Sequence, residues 1–285
     1  MLYNILMAKE KIYVINARGE RELFSKKKVY RSCRRIGASP SLADEIASHI
    51  AKRVYPEIPT SEIFEWVKQS LSGTSFQSGI KFSLKKAMQK LGPGGFDFEK
   101  YVAEIFSQNG FEVEINQYVP GKCVEDHEID FIAKAKRVAY IGECKYHHQP
   151  GKRVDLKVGL ADYAKFLDIS KGKHFKKTKI KPMIVTNTKF TSQLKQYAEC
   201  MGIELLGWKY PKRKGLERMI EKQDLYPITI LPSFKRYLKK IFAKQRMMLA
   251  LELLETTPKR LSNKTQIPLE IAKKLTEEAE VLLEK

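Results

Sequence analysis

The stretch "VAYIGECKYHH", residues 138–148, has the alternating pattern of a buried β-strand, yet its apolar centre carries a glutamate and a lysine. Successive side chains of a strand point to opposite faces of the sheet. One predicted face carries Ala139, Ile141, Glu143 and Lys145, and the other carries Tyr140, Gly142, Cys144 and Tyr146. The presence of a carboxylate and an ammonium group on one apolar face indicates a specific structural or functional role for them.

The stretch before it, "EIDFIA", reads as a second strand that places Asp130 on a face with Ile132. If the two strands form a hairpin, Asp130 and Glu143 can meet. Burying two carboxylates is costly, because they repel each other and lose hydration. A divalent cation resolves this cost, since hard cations bind carboxylate oxygens together with a substrate phosphate. The pattern therefore predicts a metal site.

Two further side chains fit such a site. Beside a metal and a scissile phosphate, the Lys145 ammonium can orient or help deprotonate the attacking water. Glu99 lies at the edge of the apolar stripe of the helical stretch "FDFEKYVAEIFSQNG", so it leans toward the sheet and could bind a second metal or a metal-bound water. The alternative is an ion pair of Lys145 with Asp130 or Glu143 on a partly exposed sheet face.

The spacing E…D-x(12)-E-x-K resembles the PD-(D/E)xK nucleases, and most of all their Mrr-type branch. The resemblance rests on "GFDFEKYVAEIFSQNGFEVE", "EIDFIA", "ECK" and "TNTKFTSQLKQYAECMGIELLGW". It implies that Asp130 and Glu143 bind Mg²⁺ or Mn²⁺, that Lys145 is catalytic and that Glu99 is an auxiliary acid. Ile129 stands where a proline would complete the motif.

The predicted elements of this part of the chain follow the order αβββαβαβ, which indicates an α/β unit with a mixed sheet. The resemblance implies a restriction-endonuclease-like core (αβββαβ). We expect three domains: a mostly helical N-terminal domain at residues 8–90, the nuclease domain at 92–225 and a helical segment at 231–285. The breaker "GPGG", residues 92–95, is expected at the first boundary.

The N-terminal segment resembles an ATP-cone, the regulatory nucleotide-binding module of ribonucleotide reductases and their repressors. The similarity rests on "VINARGERELFSKKKVYRS", "LADEIASHIAKRV" and "PTSEIFEWV". It implies that Glu22, Lys28 and Thr60 lie near a bound ATP, with Lys28 facing phosphate. Asn16 and Ala17 stand where a Lys-Arg pair is usual. The alternative is a small helical domain that contacts DNA through "KKKVYRSCRR".

The C-terminal stretch "LLETTPKRLSNKTQIPLEIAKKLTEEAEVLL" resembles the helix-hairpin-helix module of archaeal and eukaryotic RecA-family recombinases. Such a hairpin presents backbone N–H groups to phosphate without reading bases. Gln266, Ile267 and Pro268 stand where Gly-Ile is usual. The alternative is a helical packing or oligomerisation element.

Cysteine and histidine spacing allows a zinc site made of Cys123, His127, Cys144 and His147. The alternative makes Cys144 a core thiol and places His147 and His148 in a loop that contacts phosphate. The four cysteines of the chain have irregular spacing, which does not indicate a disulfide framework.

Net charge indicates a polyanionic partner. The chain has 53 Lys and Arg against 33 Asp and Glu, a net charge of +20, and its basic residues occur in clusters. Such an excess suits nucleic acid, because Lys and Arg displace its condensed counterions, although a Lys-rich proteome would also produce it. No apolar stretch has the length of a membrane span and no signal peptide is evident, so we expect a cytoplasmic protein.

These patterns together predict a metal-dependent endonuclease that hydrolyses DNA phosphodiester bonds in restriction or repair, regulated by nucleotide if the first domain binds ATP. The expected substrate is double-stranded DNA, with branched or modified DNA as variants, and a homodimer is one way to cut both strands. One alternative is a non-catalytic DNA-binding regulator on the same scaffold. Another is a junction-resolving nuclease, which shares the chemistry and differs in substrate.

Overall fold

The computed structural model divides into two compact units, Met1–Ser83 and Leu84–Lys285. The residues that it describes are 11–92, 98–149, 151–176 and 178–284. The opening ten residues and most of the predicted "GPGG" breaker (residues 93–95) lie outside them. The division into three domains stays a prediction.

The first unit is a β-hairpin followed by helices. Strands β1 (Tyr13–Ile15) and β2 (Arg21–Leu23) pair antiparallel around a turn at Ala17–Gly19. The helices are α1 (Lys26–Arg35), α2 (Pro40–Arg53), α3 (Thr60–Thr74) and α4 (Phe76–Phe82). Ser25 and Ser39 cap the first two helices by accepting backbone N–H bonds. Their apolar faces enclose a core of this unit's own, which includes Ile50, Ile58 and Leu71.

The second unit begins with an α/β region. Its elements are α5 (Leu84–Met88), α6 (Phe98–Gln108), β3 (Glu112–Val119), β4 (His127–Ala135), β5 (Val138–Lys145), β6 (Arg153–Val154), α7 (Leu156–Lys171), β7 (Lys179–Thr186), β8 (Lys189–Phe190), α8 (Ser192–Met201) and β9 (Glu204–Leu206). From α6 to β9 the five longer strands and three helices follow the predicted order αβββαβαβ. The short parallel pair of β6 and β8 was not predicted.

The main sheet is mixed, as predicted, with strand order β3-β4-β5-β7-β9. The first three strands are antiparallel, and β5, β7 and β9 are parallel. The parallel strands need crossover connections, and α7 and α8 supply them. Strand β5 therefore lies at the centre of the sheet, where a helix packs on each side of it.

The two faces of β5 meet different helices. On one face, Phe131 of β4 packs against Phe106 of α6, with ring centroids 5.2 Å apart. On the other, Ala139 and Ile141 share a core with Ile169 of α7. This separation matches the alternation expected from the sequence, and it puts the face of Glu143 and Lys145 beneath α7.

The chain after β9 is helical in short pieces. These are α9 (Leu216–Lys222), a 3-10 turn at Ile228–Ile230, α10 (Leu238–Lys244), a 3-10 helix at Ala250–Glu255, α11 (Pro258–Thr265) and α12 (Leu269–Leu283). Helices α11 and α12 form the predicted helix pair and meet at Gln266, which adopts a left-handed conformation with φ of 57°. In the parts of the chain that the structure describes, no helix has both the length and the apolarity to cross a membrane.

Candidate active site

The β4–β5 hairpin brings Asp130 and Glu143 together. Phe131 pairs with Gly142 in the antiparallel register, so Asp130 and Glu143 are the next two residues outward. Just beyond that pairing, the Cys144 backbone N–H donates to Asp130 Oδ2 over 2.6 Å. The two carboxylates thus meet as the sequence analysis expected of a hairpin.

Both oxygens of Glu143 are held by ammonium groups. Lys145 Nζ donates to Glu143 Oε1, and Lys165 Nζ of α7 donates to Glu143 Oε2 over 2.7 Å. Lys165 also donates to the Glu128 backbone carbonyl over 3.0 Å. The Glu143 side chain is only 17% exposed, so this is a partly buried triad of one carboxylate and two lysines.

Two members of this site, Asp162 and Lys165, were missed by the sequence analysis. Both lie on α7 three residues apart, and both line the same small cavity as Glu143. A signal existed: the apolar stripe of α7 includes Phe166 and Ile169, and Asp162 and Lys165 interrupt it at helical spacing. The sequence does not show that this helix covers Glu143, so the two residues were not linked to the site.

Burial and charge displace the pKa values of this cluster. Burial raises the pKa of Asp130, and the Glu143 charge raises it further. Burial acts to raise the pKa of Glu143 too, but the hydrogen bonds from Lys145 and Lys165 outweigh it and the net pKa is lowered. Burial opposes the charge on Lys145, yet the bond to Glu143 dominates and its pKa is raised. Glu143 is therefore the carboxylate that stays ionised most readily.

Asp162 is the unsatisfied member of the cluster. Its Oδ2 is buried and has no hydrogen-bond partner. Burial, followed by the charge on Glu143, raises the pKa of Asp162 to about 6. The cavity beside it has a volume of about 20 Å³, enough for roughly one water molecule. A carboxylate oxygen buried in this way is costly unless it is protonated or bound by a water molecule or a cation.

The end of β7 fixes the backbone on which Lys145 lies. Thr186 Oγ1 donates to the Lys145 carbonyl over 2.6 Å. Asn187 is 2% exposed, and its side chain accepts from the His147 N–H and donates to the His147 carbonyl, each over 2.9 Å. Thr186 and Asn187 begin the stretch "TNTKFTSQLKQYAECMGIELLGW" on which the family resemblance rests, and their hydrogen bonds hold the end of β5 in place.

Glu99 is half-buried in the first turn of α6. Its charge helps to raise the pKa of the buried Cys144 thiol, although burial itself is the larger cause. Glu99 is thus within electrostatic range of the end of β5, from the helix that packs on the Phe131 face. Its role as an auxiliary acid stays a prediction.

The zinc alternative does not fit the structure. His127 Nε2 bonds to Asp168 Oδ2 over 2.9 Å, and the Cys123 backbone N–H donates to Asp168 Oδ1 over 2.9 Å. Cys144 is buried, as the alternative core-thiol interpretation expected. Among residues 11–92, 98–149, 151–176 and 178–284, no group of three or more His, Cys, Asp or Glu side chains is arranged to hold a metal ion.

The predicted nucleotide-binding residues lie in the first unit. Lys28 Nζ is 3.3 Å from Glu22 Oε1 at the surface, so the structure brings these two together. Thr60 is the first residue of α3. Asn16 Oδ1 accepts the N–H groups of Arg18 and Glu20, which explains this residue as the one that closes the hairpin turn.

Comparison with known proteins supports the restriction-endonuclease-like interpretation of the second unit. Residues 93–210 match the restriction endonuclease family of Mrr type, and residues 226–283 match the C-terminal region of AF1548-like proteins. The crystal structure of AF1548, a protein of unknown function, is similar over 97% of its own chain and 66% of this one, with 32% identity and a TM-score of 0.55. This chain belongs to the AF1548-like family. An uncharacterized protein of Archaeoglobus fulgidus is 41% identical over 140 residues, which are 49% of this chain and 76% of that protein.

The match of residues 93–210 supports a restriction-endonuclease-like nuclease domain, a class of domain that implies DNA as substrate. Neither of these two family matches covers the first unit, so the ATP-cone interpretation of that unit stays a prediction.

The residues of the cluster fit a divalent cation of the Mg²⁺ class. Asp130 and Glu143 supply carboxylate oxygens, and Mg²⁺ is commonly held by one or two carboxylates, with waters and substrate phosphates completing its shell. The buried, unpaired oxygen of Asp162 adds negative charge nearby. Glu143 is held by two lysines in this structure, so a cation would replace one ammonium group there.

Proposed function

We propose that this protein is a metal-dependent endonuclease that hydrolyses phosphodiester bonds of double-stranded DNA. The observation that carries the proposal is the assembly of Asp130, Glu143 and Lys145 at the outer end of the β4–β5 hairpin, inside the stretch that matches restriction endonucleases. Asp130 and Glu143 hold Mg²⁺ or Mn²⁺ in this proposal.

The chemistry follows from charge neutralisation. A bound divalent cation supplies Lewis-acid stabilisation of the phosphate charge. Lys145 orients the attacking water and neutralises the charge that develops on phosphorus oxygens. Its carbonyl is fixed by Thr186, so its ammonium group is presented from a rigid strand end. Glu99 assists from α6 as an auxiliary acid.

A basic segment close to this strand end supports DNA as the partner. The Tyr146 hydroxyl, next to Lys145, donates to the Gln89 carbonyl over 2.8 Å. Lys239 of α10 donates to the Lys90 carbonyl. The stretch 235–246, which contains six Lys and Arg residues, is thus connected to the end of β5 through residues 89 and 90. Its positive charge would bind the phosphate backbone of DNA.

Nucleotide regulation is a second part of the proposal and rests on resemblance to the ATP-cone. Glu22, Lys28 and Thr60 are the candidate contacts. Arg18 and Arg21, which could replace the missing Lys-Arg pair, form ion pairs with Glu20 over 2.5 Å and Glu57 over 2.8 Å. ATP would therefore have to compete with these carboxylates.

The test is cleavage of supercoiled plasmid with Mg²⁺, with and without ATP. Asp130→Asn and Lys145→Ala are expected to lower the rate by at least about 100-fold, the range for loss of a group that stabilises transition-state charge. Lys157→Ala, an exposed lysine on α7, is the control and is expected to retain activity. An effect of ATP that is lost in Lys28→Ala would assign regulation to the first unit.

The main competing function is a non-catalytic DNA-binding regulator. The two lysines on Glu143 favour it, because an ion-paired cluster is stable without a metal ion. It predicts salt-sensitive DNA binding that is unchanged in Asp130→Asn, without cleavage. Preferred cutting of branched over linear DNA would instead indicate a junction-resolving nuclease.

A further inference from the structure

We propose that Lys165 is a positioning residue that holds Glu143 in the metal-free protein and moves to Asp162 when a divalent cation binds. The proposal rests on the proposed metal site and extends it to helix α7. Neither α7 residue belongs to the E…D-x(12)-E-x-K pattern.

Both carboxylate oxygens of Glu143 are occupied by ammonium groups. Lys145 holds Oε1 and Lys165 holds Oε2. A cation that binds Glu143 must displace one of these ammonium groups or share an oxygen with it. Lys145 lies on the same strand, two residues away, with its carbonyl fixed by Thr186. Lys165 comes from a different element, helix α7, and in this proposal it is the group that exchanges.

A second carboxylate, that of Asp162, lies next to Lys165 on the same helix. Residues three apart on a helix are neighbours on its surface, and Asp162 is three residues before Lys165. Asp162 Oδ2 is buried and unpaired, and the cavity beside Glu143 is lined by both α7 residues. In this proposal the Lys165 ammonium group pairs with that oxygen when the cation is bound.

The charge balance of the cluster also favours this exchange. With the cation absent, two lysines face three nearby carboxylates, Asp130, Glu143 and Asp162, so one negative charge is left over when all three are ionised. With the cation present, an ammonium group that stayed on Glu143 would repel it. Transfer of Lys165 to Asp162 leaves Lys145 as the single ammonium group on Glu143, which reduces this repulsion, and it also pairs the Asp162 carboxylate.

The experiment is calorimetric titration of the full-length, metal-stripped protein with Mn²⁺. Lys165→Met is expected to tighten Mn²⁺ binding by about tenfold, because a partly buried competing charge is removed. Lys165→Gln, which keeps a donor for the Glu128 carbonyl, is expected to act in the same direction and guards against misfolding of the first variant. Lys157→Met removes an exposed charge from the same helix and is expected to leave the affinity unchanged. Weaker or unchanged binding in both Lys165 variants would overturn the proposal.

Asp162 is tested in the same assay by a double-mutant cycle. Asp162→Asn is expected to weaken Mn²⁺ binding more in the wild-type background than in Lys165→Met, because only the former has an ammonium group to receive. An equal effect in both backgrounds would show Asp162 acting on the cation directly and would overturn the transfer step.

The outcomes separate this proposal from the proposed function. Wild-type protein that binds no Mn²⁺ would overturn both. Binding that is abolished by Asp130→Asn, yet is indifferent to Lys165, would leave the metal site intact and reject the role of Lys165 alone.

Discussion

At the scale of single residues, the environment of each carboxylate sets its state. Asp130, Glu143 and Asp162 are the same functional group in one cluster, yet only Glu143 receives two ammonium hydrogen bonds. The pKa of Glu143 is lowered and the pKa values of the other two are raised. Asp162 therefore lowers stability wherever it is ionised.

The pH dependence of stability tests this point. The folded pKa of Asp162, about 6, lies above its unfolded value of 3.8, so the folded state holds the proton more tightly and stability falls as pH rises between these values. At about pH 8 the loss is at most about 3 kcal/mol. Asp162→Asn should be the more stable protein above about pH 6 and should match wild type below about pH 4.

Urea unfolding in EDTA measures this difference. The chain has two tryptophans, and Trp208 is buried in the second unit, so its fluorescence in a Trp66→Phe background follows the relevant unit. Stability curves of the two proteins that run parallel across the whole pH range would contradict the assignment.

At the scale of elements, the β4–β5 hairpin depends on a glycine opposite an aromatic ring. A Cβ on Gly142 would lie 2.1 Å from Phe131 Cζ, far inside van der Waals contact. Phe131 is fully buried and packs against Phe106, so its ring has no room to retreat. The absence of a side chain at Gly142 therefore allows β4 and β5 to pack closely at the point where β5 carries Glu143.

Gly142→Ala should destabilise the second unit by about 1–3 kcal/mol through overpacking. In a Phe131→Leu background the smaller side chain makes room, so the same substitution should cost less, and the difference is the coupling of the pair. Trp208 fluorescence during urea unfolding measures all four proteins. A cost that is the same in both backgrounds would show that the clash is relieved elsewhere.

At the scale of the whole molecule, the two units have separate cores. The cluster around Ile50, Ile58 and Leu71 belongs entirely to the first unit, and each unit contains one tryptophan, Trp66 and Trp208. We expect the two units to unfold in separate transitions, because each buries its own apolar surface.

In the Trp66→Phe variant the remaining tryptophan, Trp208, reports unfolding of the second unit by its fluorescence. In the Trp208→Phe variant Trp66 reports unfolding of the first unit. Urea midpoints that differ between the two variants are expected, with circular dichroism of the wild type showing both steps. Superimposable curves from both variants and from circular dichroism would mean that the chain unfolds as one cooperative unit.

Patterns of neighbouring residues in the sequence were enough to predict the order of the elements and the shared face of Glu143 and Lys145. The alternation of residues 138–146 is a property of consecutive residues, so it predicted that Glu143 and Lys145 share a face. The order αβββαβαβ followed from periodicity in the same way. The hairpin that joins Asp130 to Glu143 was also predictable, since only a two-residue turn separates β4 from β5.

Tertiary structure alone decided which other elements reach that strand. Lys165 lies 22 residues from Glu143 in sequence, and Asn187 lies 40 residues from His147. Their contacts exist because α7 crosses over β5 and because β7 pairs beside it. Side-chain periodicity specifies which face of an element is buried, but not what covers it, so the lysine and aspartate of α7 became visible only in the folded chain.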